Sequence, residues 1–171
     1  MSVKKEIVIQ DTCTLFDLVD LNLLAVFFQL DLVVFTTPQV LSEVTDEKQW
    51  KEVSLFVENM RLEIDGQGSY ESILEITEIS PGLSFADSTV VELALRKQAT
   101  VLSSDGSLRK VAAAKGLDVH GILWVIEQLC ENKLLAGMHG VEKLNEYVKI
   151  NQWAPKKEVE LLIKKINERY T

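Results

Sequence analysis

Apolar positions along the chain occur in two kinds of stretch, short continuous runs and longer segments with helical spacing. The continuous runs are rich in β-branched residues and predict buried strands, at residues 7–9, 32–36, 62–64, 99–102 and 117–119. Segments with an apolar residue every three or four positions predict helices, at residues 15–29, 38–44, 48–60, 70–79, 85–97, 107–115, 122–130, 141–150 and 155–169. Because strands alternate with helices, we predict a three-layer α/β fold, with a central, mostly parallel sheet flanked by helices.

One domain with a helical appendage is the organisation that a chain of 171 residues favours. The glycine-bearing stretch Gly137-Met138-His139-Gly140 is the candidate boundary, and two amphipathic helices are predicted beyond it. We therefore predict a main domain at residues 1–136 and a C-terminal helical extension at residues 137–171, packed on the same domain.

The apolar stretches do not resemble targeting or membrane segments. Residues 1–6 lead into a short strand and lack the apolar stretch and cleavage site of a secretory signal. The most apolar region, residues 21–35, contains polar and charged side chains and is too short to span a bilayer. Cys13 and Cys130 form no CxxC pair, which fits a reducing compartment. We expect a cytoplasmic protein with no membrane association.

The charge balance restricts how the protein would meet nucleic acid. The chain has 18 basic and 26 acidic residues, a formal net charge of −8. This balance argues against a protein that coats nucleic acid by bulk positive charge. It leaves open a nuclease, whose metal ions and a local basic patch offset phosphate repulsion.

Four carboxylates occupy positions where an α/β sheet would bring them together. Asp11 follows the first predicted strand directly, and Asp105 follows the fourth. Asp87 lies in the first turn of the helix before that fourth strand, and Glu43 lies on the helix after the second strand. Ligands bind outside the carboxyl ends of strands in such sheets. Carboxylate oxygens that meet there suit a hard divalent cation, which polarises phosphoryl oxygen and activates water.

Each of these acids also has an ordinary structural explanation. An aspartate after a strand is commonly a turn residue or a helix cap. Asp87 alone could compensate a helix dipole, and Glu43 alone could sit on a solvated helix face. The combination of four acids in this order along an α/β pattern is what favours a shared site.

Four segments resemble the PIN-domain family in order along the chain. They are IVIQDTCTL at residues 7–15, TPQVLSEV at 37–44, LSFADS at 83–88 and VLSSDGSLRKVA at 101–112, with VHGILW at 119–124 as a matching continuation. The resemblance covers about residues 7 to 130. It implies a central parallel sheet and cleavage of RNA phosphodiester bonds that depends on Mg²⁺ or Mn²⁺.

The resemblance implies roles for eight residues. As catalytic and metal-ligating residues, for one or two ions, it indicates Asp11, Glu43, Asp87 and Asp105. As residues in contact with the RNA substrate, we predict Thr12, Ser103, Arg109 and Lys110. Arginine and lysine just after an acid are well placed to meet a phosphate group.

The resemblance also bears on partners and leaves alternatives. Many bacterial members are VapC-type toxins, so a small antitoxin protein is an expected partner, and a homodimer is compatible with the family. One alternative is a PIN module that binds protein or RNA without cleaving. Another is an aspartate-based phosphotransfer domain of receiver or haloacid-dehalogenase type. The dehalogenase type needs a second aspartate two residues after the first, where this chain has Cys13.

Overall fold

A five-stranded sheet forms the centre of the protein in the computed structural model, which describes residues 5–170. The strands are β1 (Glu6–Gln10), β2 (Leu32–Thr36), β3 (Leu62–Ile64), β4 (Thr100–Leu102) and β5 (Val119–His120). The helices are α1 (Thr12–Asp20), α2 (Leu24–Phe27), α3 (Pro38–Ser42), α4 (Glu47–Glu58), α5 (Tyr70–Ile79), α6 (Phe85–Lys97), α7 (Gly106–Ala114), α8 (Ile122–Glu131), α9 (Gly137–Ile150) and α10 (Lys156–Arg169).

All strand pairs in the sheet are parallel, and the strand order is β3-β2-β1-β4-β5. The central strand β1 pairs with β2 on one side and with β4 on the other, so that Ile9 lies opposite both Phe35 and Val101. The chain builds outward through β2 and β3, and then returns to the other side of β1 with β4. This reversal makes a crevice between the carboxyl ends of β1 and β4, where ligands of open α/β sheets bind.

Helices cover both faces of the sheet and complete the predicted three-layer α/β fold. Helix α1 contacts α4 and α8, whereas α6 contacts α3, α5 and the strands β1 and β4. The buried core runs through the sheet, with Val8, Ile9 and Val101 fully buried. None of the helices between residues 5 and 170 has the length and apolar character needed to cross a bilayer.

The single helix predicted at residues 15–29 is wrong, because the chain forms α1 and α2 with a turn between them. Asn22 takes the left-handed conformation, with φ of 55°. The N–H group of Leu23 then donates to the carbonyl oxygen of Leu18 at 2.8 Å, which closes the end of α1. Asparagine tolerates this conformation better than most residues, so it can end a helix where the apolar spacing continues.

The last strand lies later in the chain than predicted. Its residues are Val119 and His120, and His120 pairs with Leu102 of β4. His120 is therefore a strand residue.

The glycine-bearing stretch at residues 137–140, the candidate boundary, forms the first turn of α9. A Cβ atom on Gly140 would lie 2.5 Å from the Sγ atom of Cys130 in α8, so glycine permits the close approach of the two helices. Helix α10 also packs against α8 and α9. The division into residues 1–136 and 137–171 stays a prediction.

Candidate functional site

Asp11 occupies the centre of the crevice, at the point where β1 ends and α1 begins. Its side chain is 1% exposed. The Oδ1 atom accepts a hydrogen bond from the Thr14 N–H group at 2.8 Å and so caps α1. The Oδ2 atom is buried and has no hydrogen-bond partner. Burial raises the pKa of Asp11 to about 7, against the lowering effect of nearby Ser103 and Thr14, and the charge of Asp87 raises it further.

Asp105 reaches the same crevice from the end of β4. Its Oδ1 atom accepts from the Leu108 N–H group at 2.8 Å and caps α7. Its own N–H group donates to the hydroxyl group of the buried Ser103 at 3.0 Å. The pKa of Cys13 is raised to about 12, first by burial and then by the charges of Asp11, Asp17, Asp105 and Asp87 in that order. Asp105 and Asp87 therefore lie within electrostatic range of the residues that start α1.

Asp87 approaches from α6 and is held by a capping box. The Ser84 N–H group donates to the Asp87 Oδ2 atom at 3.0 Å, and the Asp87 N–H group donates to the Ser84 hydroxyl group, also at 3.0 Å. The carboxylate is half-buried. The reciprocal bonds fix the orientation of the Asp87 side chain in the first turn of α6.

Glu43 joins the group through a hydrogen bond. Helix α3 ends at Ser42, so Glu43 directly follows the helix on which it was predicted and acts as its C-cap residue. The side chain is exposed, and its Oε2 atom accepts a short hydrogen bond from the Thr12 hydroxyl group. Since Thr12 is the neighbour of Asp11, this bond brings the Glu43 carboxylate to the edge of the crevice.

The four acids supply oxygen donors of the kind that a hard divalent cation binds, but they do not form a complete metal site. No three histidine, cysteine, aspartate or glutamate side chains within residues 5–170 lie close enough together to hold a metal ion. The donor set nevertheless fits such an ion, because the buried Oδ2 atom of Asp11 has no partner and Asp87 lies within electrostatic range of Asp11. Oxygen donors of this kind are the ligands that Mg²⁺ and Mn²⁺ prefer.

The predicted substrate residues divide into two groups. Thr12 and Ser103 lie at the crevice, and the Arg109 Nη1 atom donates to the Ser103 carbonyl oxygen at 2.8 Å. Lys110 is exposed and lines a hollow with Arg109 and Leu117. The structure thus places Thr12 and Ser103 beside the acids, bonds Arg109 to the backbone of Ser103, and leaves Lys110 exposed on α7.

Asp17 is a buried acid beside the crevice that sequence reasoning missed. It is 9% exposed, and its Oδ2 atom has no hydrogen-bond partner. Burial raises its pKa to about 6, with Ser104 acting in the lowering direction and Asp20 in the raising direction. An aspartate within the apolar spacing of α1 was the sequence signal that could have found it.

Tyr147 is a second residue that sequence reasoning missed, and it lies on α9, the first of the two C-terminal helices. It is 3% exposed, and its hydroxyl oxygen accepts from the Asn151 amide group at 3.1 Å. Burial and then the charge of Asp17 raise the pKa of Tyr147 to about 12, while Ser104 acts in the lowering direction. Its position in an ordinary amphipathic helix carried no signal of a place beside the site.

Comparisons with known proteins bear on the fold described above. A family model described as a PIN domain matches residues 7–168. Among solved structures, the chain is similar to PAE2754 from Pyrobaculum aerophilum, with 12% sequence identity and a TM-score of 0.52 over 72% of this chain and 95% of that one. At this identity the likeness concerns the fold alone. A comparison with curated proteins gives no match.

Proposed function

The chain belongs to the PIN-domain family, and from this premise we propose that it is a divalent-metal-dependent endoribonuclease that hydrolyses RNA phosphodiester bonds. The family supplies the general class, a nuclease-type domain. The observation that carries the proposal is the Asp11 Oδ2 atom, which is buried at the sheet reversal without a hydrogen-bond partner. A buried carboxylate oxygen is costly to leave unpaired, and a bound cation would complete its coordination.

In this proposal Asp11, Glu43, Asp87 and Asp105 hold one or two Mg²⁺ or Mn²⁺ ions. When bound, such ions polarise the phosphoryl oxygen and lower the pKa of water. Because the pKa of Asp11 is raised to about 7, its carboxyl group must release a proton before it can serve as a ligand. Cation binding should therefore strengthen as the pH rises through neutrality.

The remaining side chains position the acids and the substrate. The Thr12 hydroxyl group holds the exposed Glu43 carboxylate. The Ser103 hydroxyl group accepts from the backbone of Asp105 and so fixes the start of α7. Arg109 uses one N–H group on the Ser103 carbonyl oxygen, which leaves other guanidinium N–H groups for a phosphate.

A cleavage assay with purified protein tests this function. Structured and unstructured RNA are incubated with the protein in Mn²⁺, in Mg²⁺ and in EDTA, and the products are resolved by length. We expect internal cleavage with either metal and none in EDTA. Full cleavage in EDTA, or none under any condition, would overturn the proposal.

We also propose a cellular setting, supported by family resemblance alone. The enzyme acts in the cytoplasm as the toxin of a toxin–antitoxin pair, is held inactive by a small antitoxin protein, and forms a homodimer. Expression of the wild type should slow growth, whereas Asp11→Asn should not. Equal growth at equal protein levels would contradict a toxin role, and a monomer in sedimentation would contradict the dimer.

A second candidate function is a PIN module that binds RNA or protein without cleaving. The observation in its favour is that no three potential ligands within residues 5–170 lie close enough to hold a metal. RNA binding without cleavage in Mn²⁺ would support it. The family assignment leaves the phosphotransfer alternative without support.

A further inference from the structure

A cavity of about 370 Å³ opens at the carboxyl ends of β4 and β5, and one of its lining residues is Ser104, the neighbour of Asp105. Its walls include residues from both the sheet end and the C-terminal helices, among them Ser104, Arg109, His120, Trp124, Tyr147 and Glu158. The volume lies within the range of pockets for small ligands, about 300–1,000 Å³. Of these lining residues, the mechanism proposed above uses only Arg109.

Ser104 and Thr14 connect the wall of the cavity to Asp11. The Ser104 hydroxyl oxygen lies 3.5 Å from that of Thr14. Thr14 in turn donates its N–H group to Asp11 at 2.8 Å. A group in the cavity would therefore be next to a phosphodiester held at Asp11.

The side chains of the cavity match the parts of a nucleotide. The rings of His120 and Trp124 stack with centroids 4.5 Å apart and an angle of 4° between their planes. Burial lowers the pKa of His120, which favours the neutral ring. Arg109 provides N–H donors, and the exposed carboxylate of Glu158 provides an acceptor from α10. Aromatic platforms of this kind stack the unpaired bases of single-stranded RNA, and arginine pairs with phosphate.

We propose that this cavity binds one nucleobase of single-stranded RNA, in the nucleotide next to the scissile phosphodiester. Arg109 faces the phosphate, and Glu158 accepts a hydrogen bond from an exocyclic amino group, as acidic side chains do with cytosine. The inference rests on the proposed ribonuclease function and deepens it. It makes α9 and α10 part of the substrate site, through Tyr147 and Glu158, and it predicts a preference for cytosine over uracil.

Binding of mononucleotides to the full chain tests the pocket without cleavage. Cytidine 5′-monophosphate, uridine 5′-monophosphate and ribose 5-phosphate are titrated in EDTA and followed by NMR, including the indole N–H signal of Trp124. We expect the cytidine compound to bind on the order of tenfold more tightly than ribose 5-phosphate, the effect of stacking one base. It should bind several-fold more tightly than the uridine compound.

Two variants and a control test which side chains bind the base. Trp124→Leu should reduce the tenfold difference in affinity between cytidine 5′-monophosphate and ribose 5-phosphate, so that the two compounds bind almost equally. Glu158→Gln, at an exposed position, should abolish the preference for cytosine over uracil, since an amide can serve both bases. Glu160→Gln removes the same charge from an exposed position of the same helix and should change nothing.

The outcomes separate this inference from the function on which it rests. If the wild type binds all three compounds equally, or not at all, the pocket proposal is overturned. The same holds if Glu158→Gln keeps the preference for cytosine, a result that does not depend on how well Trp124→Leu folds. If the pocket proposal is overturned and RNA is still cleaved in Mn²⁺, the ribonuclease proposal stands without it. Base binding without cleavage would remove the nuclease and retain a nucleotide-binding site.

Discussion

The Thr12 hydroxyl group donates a hydrogen bond to the Glu43 carboxylate across 31 positions of the chain. Glu43 follows the short helix α3 and is exposed, so its side chain has several rotamers available in solution. The bond selects one of these and holds the carboxylate at the start of α1. Thr12 therefore acts as a positioning residue for an acid that the fold alone does not orient.

Thr12→Val should lower kcat/KM for RNA by about tenfold, the effect expected from losing one charge-assisted hydrogen bond. Thr12→Ser keeps the hydroxyl group and should restore most of the activity. Both variants should melt within about 2 °C of the wild type, because the bond lies at the surface. Equal activity of the valine and serine variants would show that the bond does not matter.

Asp11→Asn and Asp105→Asn should each abolish Mn²⁺-dependent cleavage, by on the order of a thousandfold or more, since each removes a ligand charge. Asparagine caps helices as well as aspartate does, so the hydrogen bonds to Thr14 and Leu108 should persist. Initial rates on a fluorogenic RNA measure the loss.

Asp46→Asn is the matched control for these two variants. Asp46 caps α4 through the Gln49 N–H group at 2.9 Å, in the same geometry, but at an exposed site. Its activity should equal that of the wild type. A comparable loss of activity in Asp46→Asn would show that the loss comes from helix capping. Full activity in Asp11→Asn would contradict the proposed mechanism.

Cation binding should stabilise the fold. A ligand that binds only the folded state adds about 2.7 kcal/mol at a hundredfold excess over Kd. For a chain of this size, that is a rise in Tm of several degrees between EDTA and saturating Mn²⁺, measured by differential scanning fluorimetry. Asp11→Asn should raise Tm in EDTA and reduce the rise with Mn²⁺, whereas Asp46→Asn should keep the rise. Identical melting of the wild type with and without Mn²⁺ would contradict a shared site.

The stability of the metal-free protein should depend on pH through Asp11. Its pKa is about 7 in the folded state, against 3.8 for an unperturbed aspartate. Between these values the folded state binds the extra proton, so the free energy of unfolding falls as pH rises, by about 1.4 kcal/mol for each unit of pKa difference. Asp17, with a pKa of about 6, adds to this trend, whereas His120 opposes it because burial lowers its pKa.

The difference in free energy of unfolding between the wild type and Asp11→Asn isolates the contribution of Asp11 to the pH dependence. The free energy of unfolding is measured in urea with EDTA. That of Asp11→Asn should exceed that of the wild type most at about pH 8 and least at about pH 5. Asp65 does not disturb this window, because Arg96 holds its pKa well below the usual range. A difference that is constant across the window would show that Asp11 has an ordinary pKa.

The contact between α8 and α9 should be sensitive to a single methyl group. Gly140→Ala places a Cβ atom on the Cys130 Sγ atom and should destabilise the protein by about 1–3 kcal/mol, partly offset by the better helix propensity of alanine. Cys130→Ala in the same chain should recover part of that loss in urea unfolding. Gly106→Ala, where the added atom meets open space, is the control and should not destabilise. An additive double variant would contradict the contact.

The positions of Asp11 and Asp105 could be predicted because both follow strongly apolar strands, and the carboxyl ends of parallel strands meet at one edge. The structure confirms the predicted three-layer fold. The break at Asn22 could not be predicted, because the apolar spacing continues across it and a left-handed residue leaves no mark in that spacing.

The meeting of Asp17, Ser104 and Tyr147 could not be predicted either. These residues come from α1, from the loop after β4 and from α9, and their contact depends on how the C-terminal helices pack. Sequence periodicity determines which face of a helix is buried, but not which distant helix it meets.

Asp11 and Asp105 each combine a helix cap with a place among the acids, and this combination has an evolutionary consequence. Aspartate and asparagine codons differ by one nucleotide, and asparagine serves the cap equally well. A single transition could therefore silence the proposed ribonuclease activity while the fold persists. Relatives that carry asparagine at these positions should be sought as folded, non-cleaving descendants, whereas alanine there should be rarer because it would lose the cap as well.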